Sequence, residues 1–181
     1  MTDRQLYEAF LKGEVSAFEQ LVLRYRPRLI LFLTRLVRDT DAAEDLAQDV
    51  FAYLYVYKES YDCYRPFSSF LYTLAHRRGV DYIRKQARVV PMEQSPLEEG
   101  DQEQLEREIF RREDAQSLAK AMRCLKPDYQ AALYLVYFEG LSHKEVAKVL
   151  EKTQPQVKVL MFRARQALKK QLEKEGYRHE I

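Results

Sequence analysis

From Leu6 to about Arg88 apolar residues recur at steps of three and four, as in Phe18, Leu21, Val22 and Tyr25 and then Leu29, Phe32, Leu33 and Leu36. With about 3.6 residues per helical turn, such spacing gathers side chains on one stripe and predicts core-facing helices. Pro27 falls between the two sets and predicts an end or a kink, because it lacks the amide hydrogen of the helical ladder. The run Arg38-Asp39-Thr40-Asp41 offers capping side chains before a helix that reaches about Tyr57, and residues 58–62 lack a period and read as a loop. Pro66 suits the first turn of a further helix. In it Phe67, Phe70, Leu71 and Leu74 form an inward stripe, while Thr73, His76, Arg77, Val80 and Arg84 share another face.

Helical periodicity resumes near Leu105 and, with a break at residues 126–128, persists to about Leu172. Ser142 and Glu145 stand three apart at a helix start, where hydroxyl and carboxylate each satisfy an otherwise unpaired backbone N–H; Thr153 and Gln156 repeat the device. Between these caps lies a short helix with Val146, Ala147 and Leu150 inward, then a three-residue turn. The following helix keeps Val157, Met161, Ala164 and Leu168 on one stripe. Two short helices joined by a tight turn, with small Ala147 where they cross, describe a helix-turn-helix. Gln154, Gln156, Lys158, Arg163, Arg165, Gln166, Lys169 and Lys170 face outward, and no acid occurs from Thr153 to Gln171. Glutamines near the helix start suit base edges, and Arg and Lys further along suit phosphates.

The net charge of +2 conceals a block pattern. Residues 1–62 carry 8 basic and 11 acidic side chains, and residues 63–90 carry 6 and 1. Residues 91–114 hold 3 and 9, and residues 115–181 hold 13 and 7. Lys and Arg gain affinity for polyanions by releasing counterions from phosphates, so two basic blocks around an acidic one fit two modules that each meet nucleic acid. Solvated helix faces give the same pattern. The expected architecture is all-α: a helical domain over residues 1–90, a flexible acidic linker over 91–114, and a helix-turn-helix domain over 115–181.

Residues 53–88 interleave Tyr53, Tyr55, Tyr57, Tyr61, Tyr64, Tyr72 and Tyr82 with Arg65, Arg77, Arg78, Arg84, Lys85 and Arg88. Rings beside cations are what unpaired strands require, since each base stacked on an aromatic face gains about 1–3 kcal/mol; several of these tyrosines are expected in the core, and for any single one burial is the better expectation. Just upstream, Asp41, Glu44, Asp45, Gln48 and Asp49 share one helix and would repel nucleic acid. That face suits either a basic protein surface or plain solvent. No catalytic triad, zinc spacing or Gly-rich phosphate loop can be assembled from His76, His143, His179, Cys63, Cys124 and 5 glycines, so no enzyme, metal or cofactor is expected. No run of 18 apolar residues occurs, and the first twenty positions mix charges with hydrophobics, which predicts a cytoplasmic protein without membrane insertion.

Taken together, residues 41–51 (DAAEDLAQDVF), 67–75 (FSSFLYTLA), 81–84 (DYIR), 138–147 (FEGLSHKEVA) and 163–168 (RARQAL) resemble the extracytoplasmic-function group of bacterial sigma factors, specificity subunits of RNA polymerase. The resemblance covers nearly the whole chain. It implies that Asp41, Glu44, Asp45, Gln48 and Asp49 dock on the clamp helices of the polymerase's largest subunit. It implies that Lys58, Tyr61, Tyr64, Arg65, Tyr72, Thr73, His76, Arg77, Arg78, Arg84 and Lys85 engage the melted minus-ten element, with a base turned out near the loop. Ser142, Thr153, Gln154, Gln156, Lys158, Val159, Phe162, Arg163 and Arg165 would hold the minus-thirty-five element as duplex, and an anti-sigma factor is an implied partner. The chain departs from the family where Phe70 replaces the usual Trp and still fills a core position, where Arg77 replaces Asn, and where Val159-Leu160 replaces a common Ser-Arg. An outward Val159 suits a thymine methyl. The competing reading is a helix-turn-helix regulator that acts without polymerase.

Overall fold

The computed structural model describes residues 1–89 and 113–176, which fall into two compact units, one within Met1–Glu98 and the other within Glu99–Ile181. All regular structure among the described residues is helical. Most of the acidic segment 91–114, and the periodicity from Leu105 to Arg112, lie outside the described residues.

The first unit comprises α1 (Asp3–Leu11), α2 (Val15–Val37), α3 (Thr40–Val56), a 3-10 turn (Lys58–Ser60) and α4 (Phe67–Val89). Thr2 and Gln5 close a capping box at the start of α1. Arg38 ends α2 in the left-handed region, and the Asp39 carboxylate then accepts from the Ala42 amide at 3.1 Å to start α3. Of the two outcomes expected at Pro27 the end does not occur, for α2 continues through it. A helix-interior proline costs about 3 kcal/mol. On one side of it Phe18, Leu21 and Tyr25 are buried, and on the other Leu29, Leu31, Phe32 and Leu33, each contributing about 1.5–3 kcal/mol. The packing therefore outweighs the break. Pro27 is exposed, and Leu23, whose carbonyl loses its helical donor, is 77% exposed, so water can serve that carbonyl.

The inward stripe of α4 is also displaced from the expected one. Phe67 and Leu71 are buried as foreseen, but Phe70 and Leu74 are only half-buried, while Tyr72, Ala75 and Gly79 are buried. Helix α4 lies against both α2 and α3 and is covered over a wider arc than a single stripe supplies. A side chain at Gly79 would bring its Cβ to 2.5 Å from Leu36 Cδ2, so α2 and α4 approach too closely there for any other residue without repacking.

At one end of this unit Tyr7, Phe10, Phe18, Tyr25, Tyr61 and Phe67 form a continuous aromatic cluster, with Tyr7 and Tyr61 edge to face at 4.7 Å. Burial, and secondarily the neighbouring Cys63, raise the hydroxyls of Tyr7 and Tyr61 above the ordinary phenol value of 10.0. A raised folded-state value means that stability is complete below the unfolded value and declines as pH climbs above it. The melting temperature is expected to fall steadily from about pH 10 upward. The slope should flatten in Tyr7→Phe; an unchanged slope would show that these hydroxyls do not couple folding to pH.

The second unit contains α5 (Glu113–Arg123), α6 (Pro127–Tyr137), α7 (His143–Val149) and α8 (Gln154–Lys174). Met122, Leu133, Leu135, Val146, Val149, Val157, Met161 and Ala164 form its core. Gln130, buried on α6, donates its amide to the Leu125 carbonyl at 2.8 Å and ties the α5–α6 turn to that core. Both expected capping boxes are present, at Ser142/Glu145 and Thr153/Gln156. The turn between α7 and α8 closes with Glu151 at a φ of 54° and the Lys152 amide donating to the Ala147 carbonyl at 2.9 Å. Left-handed backbone at a non-glycine residue is sparsely populated, so packing of α7 on α8 holds this turn.

Candidate polymerase and nucleic-acid surfaces

Helix α3 buries Ala43, Ala47, Val50, Phe51 and Leu54. The complementary positions Asp41, Glu44, Asp45, Gln48 and Asp49 follow an i, i+3, i+4, i+7, i+8 rhythm, and all five are exposed. The core stripe therefore forces four carboxylates and an amide onto one outward face. Such a face can accept hydrogen bonds and opposite charge from a basic protein helix and would repel phosphate.

The residues expected at the opened strand divide by burial. Tyr72 is 0% exposed and packs edge to face on Phe32 at 5.1 Å; Tyr61 is 5% exposed, inside the aromatic cluster, with its hydroxyl donating to the Arg65 carbonyl. Both are corrected from strand-stacking surfaces to core residues. Their rings fill space where α1, α2 and α4 meet, and a base could reach them only by unpacking it. Lys58 is also largely tied down, its carbonyl accepting from the Tyr7 hydroxyl at 2.7 Å and its ammonium lying 5.8 Å from the Phe10 ring. Thr73 is half-buried and returns its hydroxyl to the Ser69 carbonyl at 2.7 Å, and His76 is half-buried beside it on α4.

The remaining members stay on the surface. Tyr64, Arg65, Arg77, Arg84 and Lys85 are exposed, with Arg88 one turn further along α4. Arg78 is half-buried and lies over the Tyr53 ring at 5.4 Å, and the Tyr53 ring in turn lies tilted against that of exposed Tyr57 at 4.9 Å. The cationic front predicted for α4 is thus present, but Tyr61 and Tyr72 are lost from its aromatic complement: Tyr55, Tyr57 and Tyr64 are exposed, and Tyr53 and Tyr82 are half-buried.

In the second unit Gln154, Gln156, Lys158, Arg163 and Arg165 are exposed on α8, together with Lys169 and Lys170. Ser142, Thr153 and Gln156 spend their side-chain oxygens on the caps: Gln156 Oε1 accepts from the Thr153 amide at 2.9 Å, and the two hydroxyl oxygens accept from the backbone of Glu145 and Gln156. Each of these oxygens keeps a second lone pair, and the hydroxyl and amide hydrogens also remain to meet a ligand. Val159 and Phe162 are 49% and 60% exposed, apolar side chains set among Lys158 and Arg163. Arg165 donates Nε to the Tyr137 hydroxyl at 2.8 Å, so α6 helps to aim it. Tyr137 was not anticipated as part of this surface; the contact joins positions 28 residues apart and leaves no local signal in the sequence.

Two family models match the chain, one described as sigma-70 region 2 over residues 21–89 and one as sigma-70 region 4 over residues 115–168. The RNA polymerase sigma-H factor of Pseudomonas aeruginosa is 30% identical over 181 residues, covering 94% of each protein. The extracytoplasmic-function RNA polymerase sigma-E factor of Escherichia coli K12 is 28% identical, covering 93% of each. Among solved structures, the sigma factor RpoE of Bartonella quintana, in complex with the anti-sigma factor NepR, has the same fold with a TM-score of 0.63 at 22% identity, covering 86% of this chain and 96% of that one. The acidic face of α3 and the cationic helices α4 and α8 therefore sit within a member of the sigma-70 family of RNA polymerase sigma factors, in its extracytoplasmic-function group.

Proposed function

We propose that this sigma factor binds core polymerase through the α3 face, with Asp41, Glu44, Asp45, Gln48 and Asp49 in contact, and engages promoter DNA through two separate cationic surfaces. The single observation that supports this best is the sorting of charge by helix: carboxylates on the exposed side of α3, cations on the exposed sides of α4 and α8. The exposed basic residues of α4 suit the opened minus-ten strand, and α8 suits the minus-thirty-five duplex, with Val159 and Phe162 placed for thymine methyls between phosphate-binding Lys158 and Arg163. Residues 1–90 and 115–181 form the two working domains in this reading, joined by the acidic segment 91–114. The working compartment is the cytoplasm; no helix among the described residues is long and apolar enough to cross a membrane. An anti-sigma factor is a proposed partner, as one accompanies the Bartonella relative. Initiation as a polymerase-associated factor replaces the alternative of a regulator acting without polymerase.

In vitro transcription with core polymerase on a genomic fragment library should yield discrete start sites that depend on the added chain, and their absence would overturn the assignment. Within that assay Arg84→Ala with Lys85→Ala should lower open-complex formation by about 10-fold or more, since each phosphate contact carries a share of the salt-dependent affinity. Closed, duplex binding should change much less. Equal losses in both would deny α4 a strand-specific role.

A further inference from the structure

Helix α6 ends in a turn that the following chain closes. The Phe138 and Glu139 amides both donate to the Tyr134 carbonyl, at 2.9 and 3.2 Å, and the Leu141 amide returns to the Leu135 carbonyl at 3.0 Å. Gly140, at a φ of 67°, supplies the left-handed residue that such a closure uses. Leu133, Tyr134 and Leu135 are buried, and the Tyr134 ring stacks on Phe138 at 5.4 Å. The backbone of Tyr137 is fixed by these contacts, while its side chain is 60% exposed.

Arg165 meets that side chain from α8, Nε to hydroxyl oxygen at 2.8 Å, with its guanidinium carbon 5.9 Å from the ring centroid. The second distance is at the outer limit for attraction by a ring face, so the hydrogen bond is the principal contact. What remains on the pair is chiefly donors. A guanidinium carries five N–H groups, of which one is spent here, and the tyrosine oxygen, having accepted, still has its own proton to give. A hydrogen bond between two exposed side chains adds little to the stability of a fold. Its effect here is to order a long, mobile cation and to set both Nη groups beside an O–H. A phosphodiester, with one negative charge shared by two oxygens, matches that set, since guanidinium and phenol can donate to the same group. Arg165 also shares an exposed stripe of α8 with Lys158, Phe162 and Lys169, at steps of four, three and four. The two lysines are about 16 Å apart along the helix, a spread that suits a row of phosphates better than a lone carboxylate.

We propose that Tyr137 and Arg165 form a two-helix clamp on one backbone phosphate of the minus-thirty-five duplex. Arg165 holds it through its Nη groups and Tyr137 through its hydroxyl hydrogen, while the bond between them fixes the guanidinium. The DNA surface of the second unit thereby extends from α8 onto the end of α6. This rests on the reading of α8 as the minus-thirty-five surface.

The test uses holoenzyme reconstituted with core polymerase and duplex fragments carrying the minus-thirty-five region of a start site mapped by library transcription, with single phosphates replaced in turn by uncharged methylphosphonate. On unmodified duplex Tyr137→Phe should lower affinity by about 3- to 10-fold, the share of one hydrogen bond to a charged group at the surface. The slope of log affinity against log salt should not change, because no charge is lost. Arg165→Ala should lose at least as much and flatten that slope by about 1. At one methylphosphonate position, and the same one for both, Tyr137→Phe and Arg165→Ala should each cost less than about 2-fold, since the charge they serve is already gone. The melting temperature of Tyr137→Phe should be unchanged. If Tyr137→Phe leaves duplex affinity intact while Arg165→Ala weakens it, or if the two variants map to different phosphates, the clamp is refuted and the α8 assignment stands. If Arg165→Ala and Lys158→Ala with Arg163→Ala all leave duplex affinity intact, the α8 assignment itself fails. A Tyr137→Phe loss confined to core polymerase affinity would make the pair a protein contact and overturn the proposal.

Discussion

Asp45→Lys combined with Asp49→Lys is expected to reduce affinity for core polymerase by at least about 100-fold, since a like-charge juxtaposition at an interface costs several kcal/mol. Both side chains are exposed, one turn apart on α3, and neither contributes to the stripe formed by Ala43, Ala47, Val50, Phe51 and Leu54. Surface substitutions of this kind usually change stability by less than about 0.5 kcal/mol, so the double variant should keep its helical circular dichroism and its melting temperature. Co-purification with core polymerase and equilibrium binding of a fluorescently labelled chain provide the measurement. Binding unchanged in the double variant would remove α3 from the polymerase interface. Equal loss with Asp45→Asn and Asp49→Asn would show that the carboxylates are themselves contacts, whereas a milder effect would assign the loss to repulsion.

The second large effect concerns Tyr72, which composition places among the strand-facing tyrosines and which the fold buries completely against Phe32. Truncating a buried aromatic to alanine costs about 3–5 kcal/mol, and each kcal/mol lowers the melting temperature of a domain this size by about 4–8 °C. Tyr72→Ala should therefore melt at least about 12 °C lower, a shift readable by calorimetry. Tyr72→Phe keeps the ring and should cost about 1 kcal/mol or less. Tyr64→Ala should show the opposite profile, with stability intact and strand binding reduced. A Tyr72→Ala protein that melts normally yet loses strand affinity would return Tyr72 to the nucleic-acid surface.

The contrast between these two tyrosines marks how far the sequence could be read. The acidic stripe of α3, the cations of α4 and the outer face of α8, free of acids as far as Gln171, were legible because a helix converts spacing into direction, and charged side chains seldom leave water. The caps at Ser142 and Thr153 were legible for a similar reason, since their partners lie only three residues away. The assignments of Tyr61 and Tyr72 failed because a tyrosine is equally suited to a core and to a nucleobase, and local pattern does not distinguish the two. Pro27 does not end α2 because its penalty is local, while the burial on either side of it is not.

Helical class, the helix-turn-helix and the partition of charge among helices were thus determined by the sequence itself, through periodicity and capping that act within one or two turns. Only the tertiary structure decided that Tyr61 and Tyr72 are core, that α1 reaches 51 residues ahead to brace the turn before α4, and that Tyr137 aims Arg165. Those decisions depend on which surfaces exclude water from one another once the helices pack, and that is a property of contacts distant in the chain rather than of any local pattern.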